Sequence, residues 1–511
     1  MKHKSVSRRI SENHLLTTFF WVVVVFFASI ATYRVWSAQG FFMDTAEHIH
    51  ASWLVSTGMI PYRDFFEHHH PLLWYLFAPI TQLFYRDAVI IYIAKSIAIG
   101  GWLLSLYLFY KLSLRCTEQL SHARLAVLLF LAIPYLFNDI QNLRPDIFMN
   151  IAILAALYCF FVFLDTKKTK FLCYSYLLWL IAFLFLQKAL VFALGFGIAQ
   201  VYFIKKKVIV TNIFSALFLP ISLSVLLLVV LWKMNLLASW WMCNFNFNLL
   251  MQKNYGYFSS GVSILPILAL ILAVLVIRFF KMNYKNFTLF CIWCCAVGQL
   301  LIFAPHPWYY NVFFMLSILL ILPVAGQWLK RYFLTSLSCL FVLLLISFLT
   351  FYRSTNARWK VHNTIELVDY ILKNTPQDEP LLNTHSAYNL FNPDLDYYWF
   401  GFHNVTIIAD LFLPRHFSYN EQIYKKPKFI FADEALFDKL MWQNTRWLQD
   451  RNQALLQKAA KGDKTALSKL TPIETDYWQI DMDFIKKHYH HVDTFGSIEL
   501  WQRIDDESVL E

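Results

Sequence analysis

Residues 41–70 read FFMDTAEHIHASWLVSTGMIPYRDFFEHHH, four acids and five histidines in thirty residues. Glu47 and His48 stand three and four residues after Asp44, so a helix brings all three to one face. A carboxylate at the edge of a low-dielectric region is suited to general-base work. Asp44 followed by Glu47 also has the spacing of a capping box, which is a structural role. His68, His69 and His70 run consecutively before Pro71. With Glu67 and His48 they offer the donor types of a metal site, so His48, Glu67 and His68 form a candidate set for a divalent ion. They also fit hydrogen bonding to a phosphate, or a polar rim at a membrane surface. No other cofactor is indicated.

Further along, Arg144 and Asp146 flank Pro145, which suits the first position of a helix. They fit a local ion pair, or a cradle for an anion at a helix N-terminus. Lys188 sits in a short turn between two apolar runs, LFLQKALVF. It fits snorkelling to the interface, or an isolated cation for a lipid phosphate. Lys95 lies about two turns into an apolar run, too deep to snorkel, and is expected to face the bundle interior. The segment PHPWYYNVFF places His306, Tyr309 and Tyr310 at a membrane boundary, where an aromatic belt is expected in any case.

The elements that must hold these residues are apolar. Of 511 residues, 58% are hydrophobic and 15% charged, far from the roughly 25% charged of a soluble domain. This excludes a disordered or disulfide-stapled chain and argues against a soluble enzyme. The net charge of +11 divides into +16 over residues 1–352 and −5 over 353–511. Runs long enough to approach the roughly 20 residues of a span number about eleven. They fall near 15–36, 88–110, 125–138, 147–164, 171–186, 189–204, 208–232, 262–280, 286–304, 308–325 and 332–352.

With the N-terminus inside, 18 of the 26 basic residues of 1–352 fall in inner loops, as positive-inside asymmetry demands. The positive excess is then topological, and nucleic acid is not an expected partner. Seven of the ten acids of that part, among them Asp44, Glu47, Glu67 and Asp146, fall outside. The apolar stretch 71–85 is short for a span and reads as an interfacial helix within a first outer loop of 37–87. Cys291, Cys294 and Cys295 lie inside an apolar run and read as packing residues.

Residues 353–511 have ordinary soluble composition and form an exported domain. A helix is expected at 364–374, short β runs at 404–409 and 428–432, helix over much of 435–470, and a closing hairpin in HVDTFGSIELWQRI. The pattern is a small α/β domain placed to recognise an acceptor or cover a site. The segment 434–478 carries no catalytic pattern.

The sequence D-T-A-E-H, followed by G-x-x-P-Y-R-D-F-F-E-H-H-H-P-L-L-W-Y, resembles the membrane glycosyltransferases of the GT-C fold. The nearest likeness is to the branch of protein O-mannosyltransferases and lipid A aminoarabinose transferases. Arg144-Pro145-Asp146, the Lys188 turn and His306–Tyr310 are similar in type and order to later motifs of that branch, so the likeness covers about residues 15–330. The resemblance implies a polyprenyl-phosphate sugar as donor and inverting transfer to an acceptor hydroxyl at the outer face of the cytoplasmic membrane. Lipid, glycan and protein acceptors all remain open.

By that resemblance Asp44 is the base and Glu47 its acidic neighbour. Arg63, His69, His70, Lys95, Arg144, Asp146, Lys188, His306, Tyr309 and Tyr310 are donor-phosphate or substrate contacts. Members often carry a lysine just before the proline of the first loop, where this chain has His69 and His70. An alternative reading is a transporter or flippase of a lipid-linked sugar. That would call for internal repeats and broken helices at the membrane midplane, and no repeat is evident.

Overall fold

The computed structural model describes residues 2–36, 43–133, 142–209, 213–249, 283–302, 310–353, 361–383, 389–395, 397, 419–433, 482–495 and 498–504, with isolated helical positions at 268, 272, 275, 276, 453, 456, 457 and 460. The expected span at 262–280, the β run at 404–409 and nearly all of 434–478 lie outside the described residues. So do His306 and Tyr309.

Two compact units emerge, and the chain passes between them more than once. The first comprises 1–39, 68–76 and 92–357; the second comprises 40–67, 77–91 and 358–511. Most of the first outer loop therefore belongs with the C-terminal residues rather than with the helices that flank it in sequence.

The first unit is helical: α1 (Lys2–Trp36), α4 (Ile90–Thr117), α5 (Leu120–Leu131), α6 (Pro145–Thr166), α7 (Thr169–Phe185), α8 (Ala189–Lys205), α9 (Ile213–Lys233), α10 (Leu237–Trp241), α11 (Tyr284–Ile302), α12 (Tyr310–Arg331) and α13 (Phe333–Arg353). Among the described residues, five helices are long and apolar enough to cross a membrane: Glu12–Tyr33, Ile90–Thr117, Pro145–Thr166, Ile213–Lys233 and Tyr310–Arg331. Three more apolar helices, Thr169–Phe185, Ala189–Lys205 and Phe333–Leu349, fall just below that length. Helix α9 leaves Phe214, Phe218 and Trp232 largely exposed, as a lipid-facing helix would. The chain is a multi-pass membrane protein.

Helix α4 runs through Lys111 and Arg115, two residues expected in a loop. It ends only where Glu118 adopts a left-handed conformation (φ 56°). Helix α5 begins five residues earlier than expected, and its described part is 12 residues long. At one end of this bundle Asp165 receives Lys285 at 2.9 Å and Arg115 at 3.0 Å. Lys330 donates to Gln119 at 2.7 Å. The ends of α4, α6 and α11 thus meet through charges that the hairpin alternation puts on one side.

Helices α8 and α11 approach closely at Gly195, where an added Cβ would lie 2.6 Å from the Cys291 carbonyl oxygen. Small residues permit such backbone contact between apolar helices. Cys291 is buried at this packing point, in line with its reading as a packing residue.

The second unit holds α2 (Met43–Ser56), part of α3 (Leu72–Leu83), α14 (Val361–Asn374), α15 (Tyr419–Tyr424), α16 (Met482–His488) and four strands. Helix α3 spans 12 residues, the short helix expected at 71–85. The strands β1 (Leu382–Asn383), β2 (Phe429–Asp433), β3 (Tyr489–Phe495) and β4 (Ile498–Arg503) form a sheet in the order β1-β2-β4-β3. β1 pairs parallel with β2, and β3 and β4 make the expected antiparallel hairpin. Leu382, Ile423, Ile430, Ile485 and Tyr489 form the core beneath it.

Candidate functional site

In the second unit, α2 opens at Met43, so Asp44 lies inside the first helical turn rather than at the cap. Asp44 is partly exposed, whereas Glu47 and His48 are buried at 1% exposure. Glu67 is fully buried, and a carboxylate oxygen of Glu67 lies within 4.8 Å of one of Glu47. Two buried carboxylates this close repel unless a cation or a proton lies with them. Glu47 thus joins the expected Glu67 in offering a closely placed carboxylate. His68 and His69 follow Glu67 directly in the chain.

Arg63 is exposed, and Asp64 engages its guanidinium through two bonds of 2.8 Å. The same carboxylate accepts from the Ile60 amide, and its pKa is lowered chiefly by the bond from Arg63. Arg63 thus takes part in a local turn with Asp64.

Sequence spacing did not indicate how α2 is held. His50 is fully buried and its Nε2 lies 2.8 Å from Asp394 Oδ2. Asn389 donates to the other oxygen of Asp394. Nearby, Phe391 meets the rings of Trp53 and Tyr85 edge-on at 6.4 and 5.6 Å. Tyr397 accepts from the Phe66 amide at 2.8 Å and donates its hydroxyl to Tyr62 at 3.0 Å. Residues 389–395 and Tyr397 thus brace the first-loop helix that carries Asp44 and Glu47. No motif could have signalled a contact between residues 344 positions apart.

In the first unit, Arg144 caps α6 and Pro145 takes its first position, as expected. Arg144 reaches Asp146 through Nε at 3.3 Å and Nη2 at 3.2 Å. Lys188, at the N-terminus of α8, places Nζ 3.8 Å from the other Asp146 oxygen. Arg144 and Asp146 are buried and Lys188 is partly so. Asp146 thus gathers two cations from different helix ends in a sheltered place. Lys95 is fully buried, consistent with an interior-facing lysine.

The histidines divide. His68 is half-buried, its ring 5.4 Å from Phe247, and its carbonyl accepts from Gln187 at 3.3 Å and Asn248 at 2.9 Å. Asn248 follows a π-helical turn, Met242–Asn246, an irregularity that recurs at functional sites. That turn also holds Cys243, expected in a loop. His69 is half-buried and acts electrostatically on Asp146.

His70 is buried and bonds through Nδ1 to the Phe183 carbonyl, and burial lowers its pKa to about 4. A neutral ring whose one N–H is already given to a carbonyl has only an acceptor left, so His70 offers nothing to a phosphate. Tyr310 is buried at the start of α12, its ring 5.9 Å from Phe314.

No known family's sequence pattern matches the chain, and no curated protein is similar to it in sequence. Solved structures do match. ArnT from Cupriavidus metallidurans, bound to undecaprenyl phosphate, superposes with a TM-score of 0.59 at 10% identity, over 95% of this chain and 98% of that one. The chain has the GT-C fold. The archaeal oligosaccharyltransferase AglB from Archaeoglobus fulgidus, in complex with an inhibitory peptide and a dolichol-phosphate, gives a TM-score of 0.47 at 10% identity, over 96% of this chain and 75% of that one. An Archaeoglobus fulgidus oligosaccharyltransferase complexed with Zn and sulfate gives 0.44 at 11% identity, over 81% and 68%.

Proposed function

We propose that this GT-C protein is an inverting glycosyltransferase that takes a sugar from a polyprenyl-phosphate donor and delivers it to an acceptor hydroxyl at the outer face of the cytoplasmic membrane. The N-terminus lies in the cytoplasm and residues 353–511 outside. The observation that carries the reading is the Arg144–Asp146–Lys188 group, in which a buried arginine and a partly buried lysine are held at one buried carboxylate. When a lipid phosphate leaves the sugar, negative charge grows on the bridging oxygen. Fixed cations in a water-poor site stabilise that charge without having to reorganise. Undecaprenyl phosphate in the ArnT structure is the same class of ligand.

Asp44 takes the proton of the attacking acceptor hydroxyl. Its partial exposure at the first turn of α2 suits a group that must meet an incoming substrate. Inversion follows from a single displacement: the acceptor oxygen bonds to the anomeric carbon as the phosphate departs from the opposite side. His69 and Lys95 belong to the donor side, as does Tyr310.

A divalent ion is part of this reading. Glu47 and Glu67 supply close carboxylates, donors that a divalent ion accepts. Such an ion would neutralise the paired acids and polarise the acceptor oxygen.

The test is Asp44→Asn in purified protein supplied with undecaprenyl-phosphate sugars and envelope acceptors. General-base removal costs on the order of 10²–10⁴ in rate. Transfer should fall by that much while the melting temperature stays unchanged. Full transfer by the variant removes Asp44 from the mechanism.

A further inference from the structure

Asn142 stands two residues before Arg144, in the approach to α6, and is 1% exposed. Neither its amide nitrogen nor its carbonyl oxygen has a hydrogen-bond partner. A buried amide normally finds partners, because taking it from water uncompensated is costly. The turn before α8 repeats the feature. Gln187 gives its nitrogen to the His68 carbonyl, while its own carbonyl oxygen is buried and without a partner.

These residues are neighbours through the chain. Two residues span at most about 7 Å, and one about 3.8 Å. Asn142 is that close to Arg144, and Gln187 is next to Lys188. Arg144 and Lys188 converge on the carboxylate of Asp146. Idle neutral donors and acceptors therefore flank a cationic pair. A sugar phosphate has the complementary chemistry: an anionic group for the cations, and hydroxyls that both donate and accept beside it.

We propose that Asn142, with the Gln187 carbonyl, is a specificity-determining contact to the hydroxyls of the donor's sugar. This rests on the glycosyltransferase reading above. It assigns to neutral amides the recognition of the sugar, and leaves the lipid phosphate to the charges.

The assay is thermal stability of the full-length protein in detergent, alone and with two probes: undecaprenyl phosphate without sugar, and a panel of undecaprenyl-phosphate hexoses and pentoses. Asn142→Leu keeps the branched outline and removes both idle atoms. Its melting temperature alone should rise by about 1–3 °C. Stabilisation by the sugar-free lipid should match wild type, while stabilisation by the sugar-bearing lipid and its kcat/KM in transfer should fall at least about tenfold. Asn142→Ser, which keeps a donor and an acceptor, should restore part of the sugar-dependent stabilisation.

A lowered melting temperature with sugar-dependent stabilisation intact would show the amide to be structural and overturn the proposal. If no sugar-bearing lipid stabilises even wild type, the glycosyltransferase reading itself fails. The melting temperature of Asn142→Leu alone then still reports whether the amide is idle.

Discussion

His70 allows a quantitative test of the local structure before the three-histidine run meets α3. The ring is buried and its pKa lies at about 4, against about 6.5 for a histidine in an unfolded chain. The cause is burial, which disfavours the charged form, and the bond to the Phe183 carbonyl opposes it only in part. Between these two values the unfolded chain binds a proton that the folded chain refuses, so stability falls as pH falls. The loss begins as pH drops through the unfolded value, 6.5, and is complete below about 4. Linkage between those two values gives roughly 2 kcal/mol of lost stability between pH 7.5 and pH 5.

The perturbation is His70→Phe, which keeps an aromatic ring against Phe183 and Trp240 and cannot titrate. Wild type and variant would be melted in detergent across pH 5 to 7.5. Their stability difference should change by roughly 2 kcal/mol across that range in favour of the variant at acid pH, offset by a constant for the lost hydrogen bond of about 1 kcal/mol. Parallel profiles would refute the reasoning. They would mean that His70 titrates as it does in the unfolded chain, and it would return as a candidate phosphate cation.

Three further outcomes follow from the packing. Asp394→Ala removes the acceptor of buried His50 and should destabilise by about 1.5–3 kcal/mol, read by denaturant melts. Because Asp394 braces α2, the same variant should lower kcat more than the KM for the donor. Asp146→Asn removes a buried charge that Arg144 and Lys188 both reach and should cost about 3–5 kcal/mol, seen as lost thermal stability even before activity is measured. Gly195→Val forces a side chain into the Cys291 backbone and should cost at least about 1–3 kcal/mol in a melt, with Gly298→Ala as a control at an open glycine.

The sequence was most informative where chemistry and periodicity act locally. The α6 start at Pro145, the short helix after Pro71, the interior lysine at 95 and the closing hairpin all follow from residues a few positions apart. Helix ends were less legible: α4 continues through Lys111 and Arg115, and Arg115 pairs with Asp165 from a helical position. Charge alone does not tell a helix end from a loop. The first loop and the C-terminal residues form one compact unit, and composition hid this, since the apolar body intervenes between them in sequence.

The candidate site shows the same limit at the scale of single side chains. Arg63 and Arg144 are both basic residues one or two positions from an aspartate, and by sequence they are equivalent phosphate ligands. Their surroundings separate them. Arg63 is exposed and pairs with the half-buried Asp64 beside it. Arg144 shares its buried aspartate with Lys188, contributed from the start of α8, so two cations are held together where water screens them less. Whether a cation gathers with a second one is set by which distant helix end arrives beside it. Asp146 is the residue that fixes these two cations in place. The idle amide of Asn142 beside it has the same origin, a polar group whose partner is not supplied by its own stretch of chain.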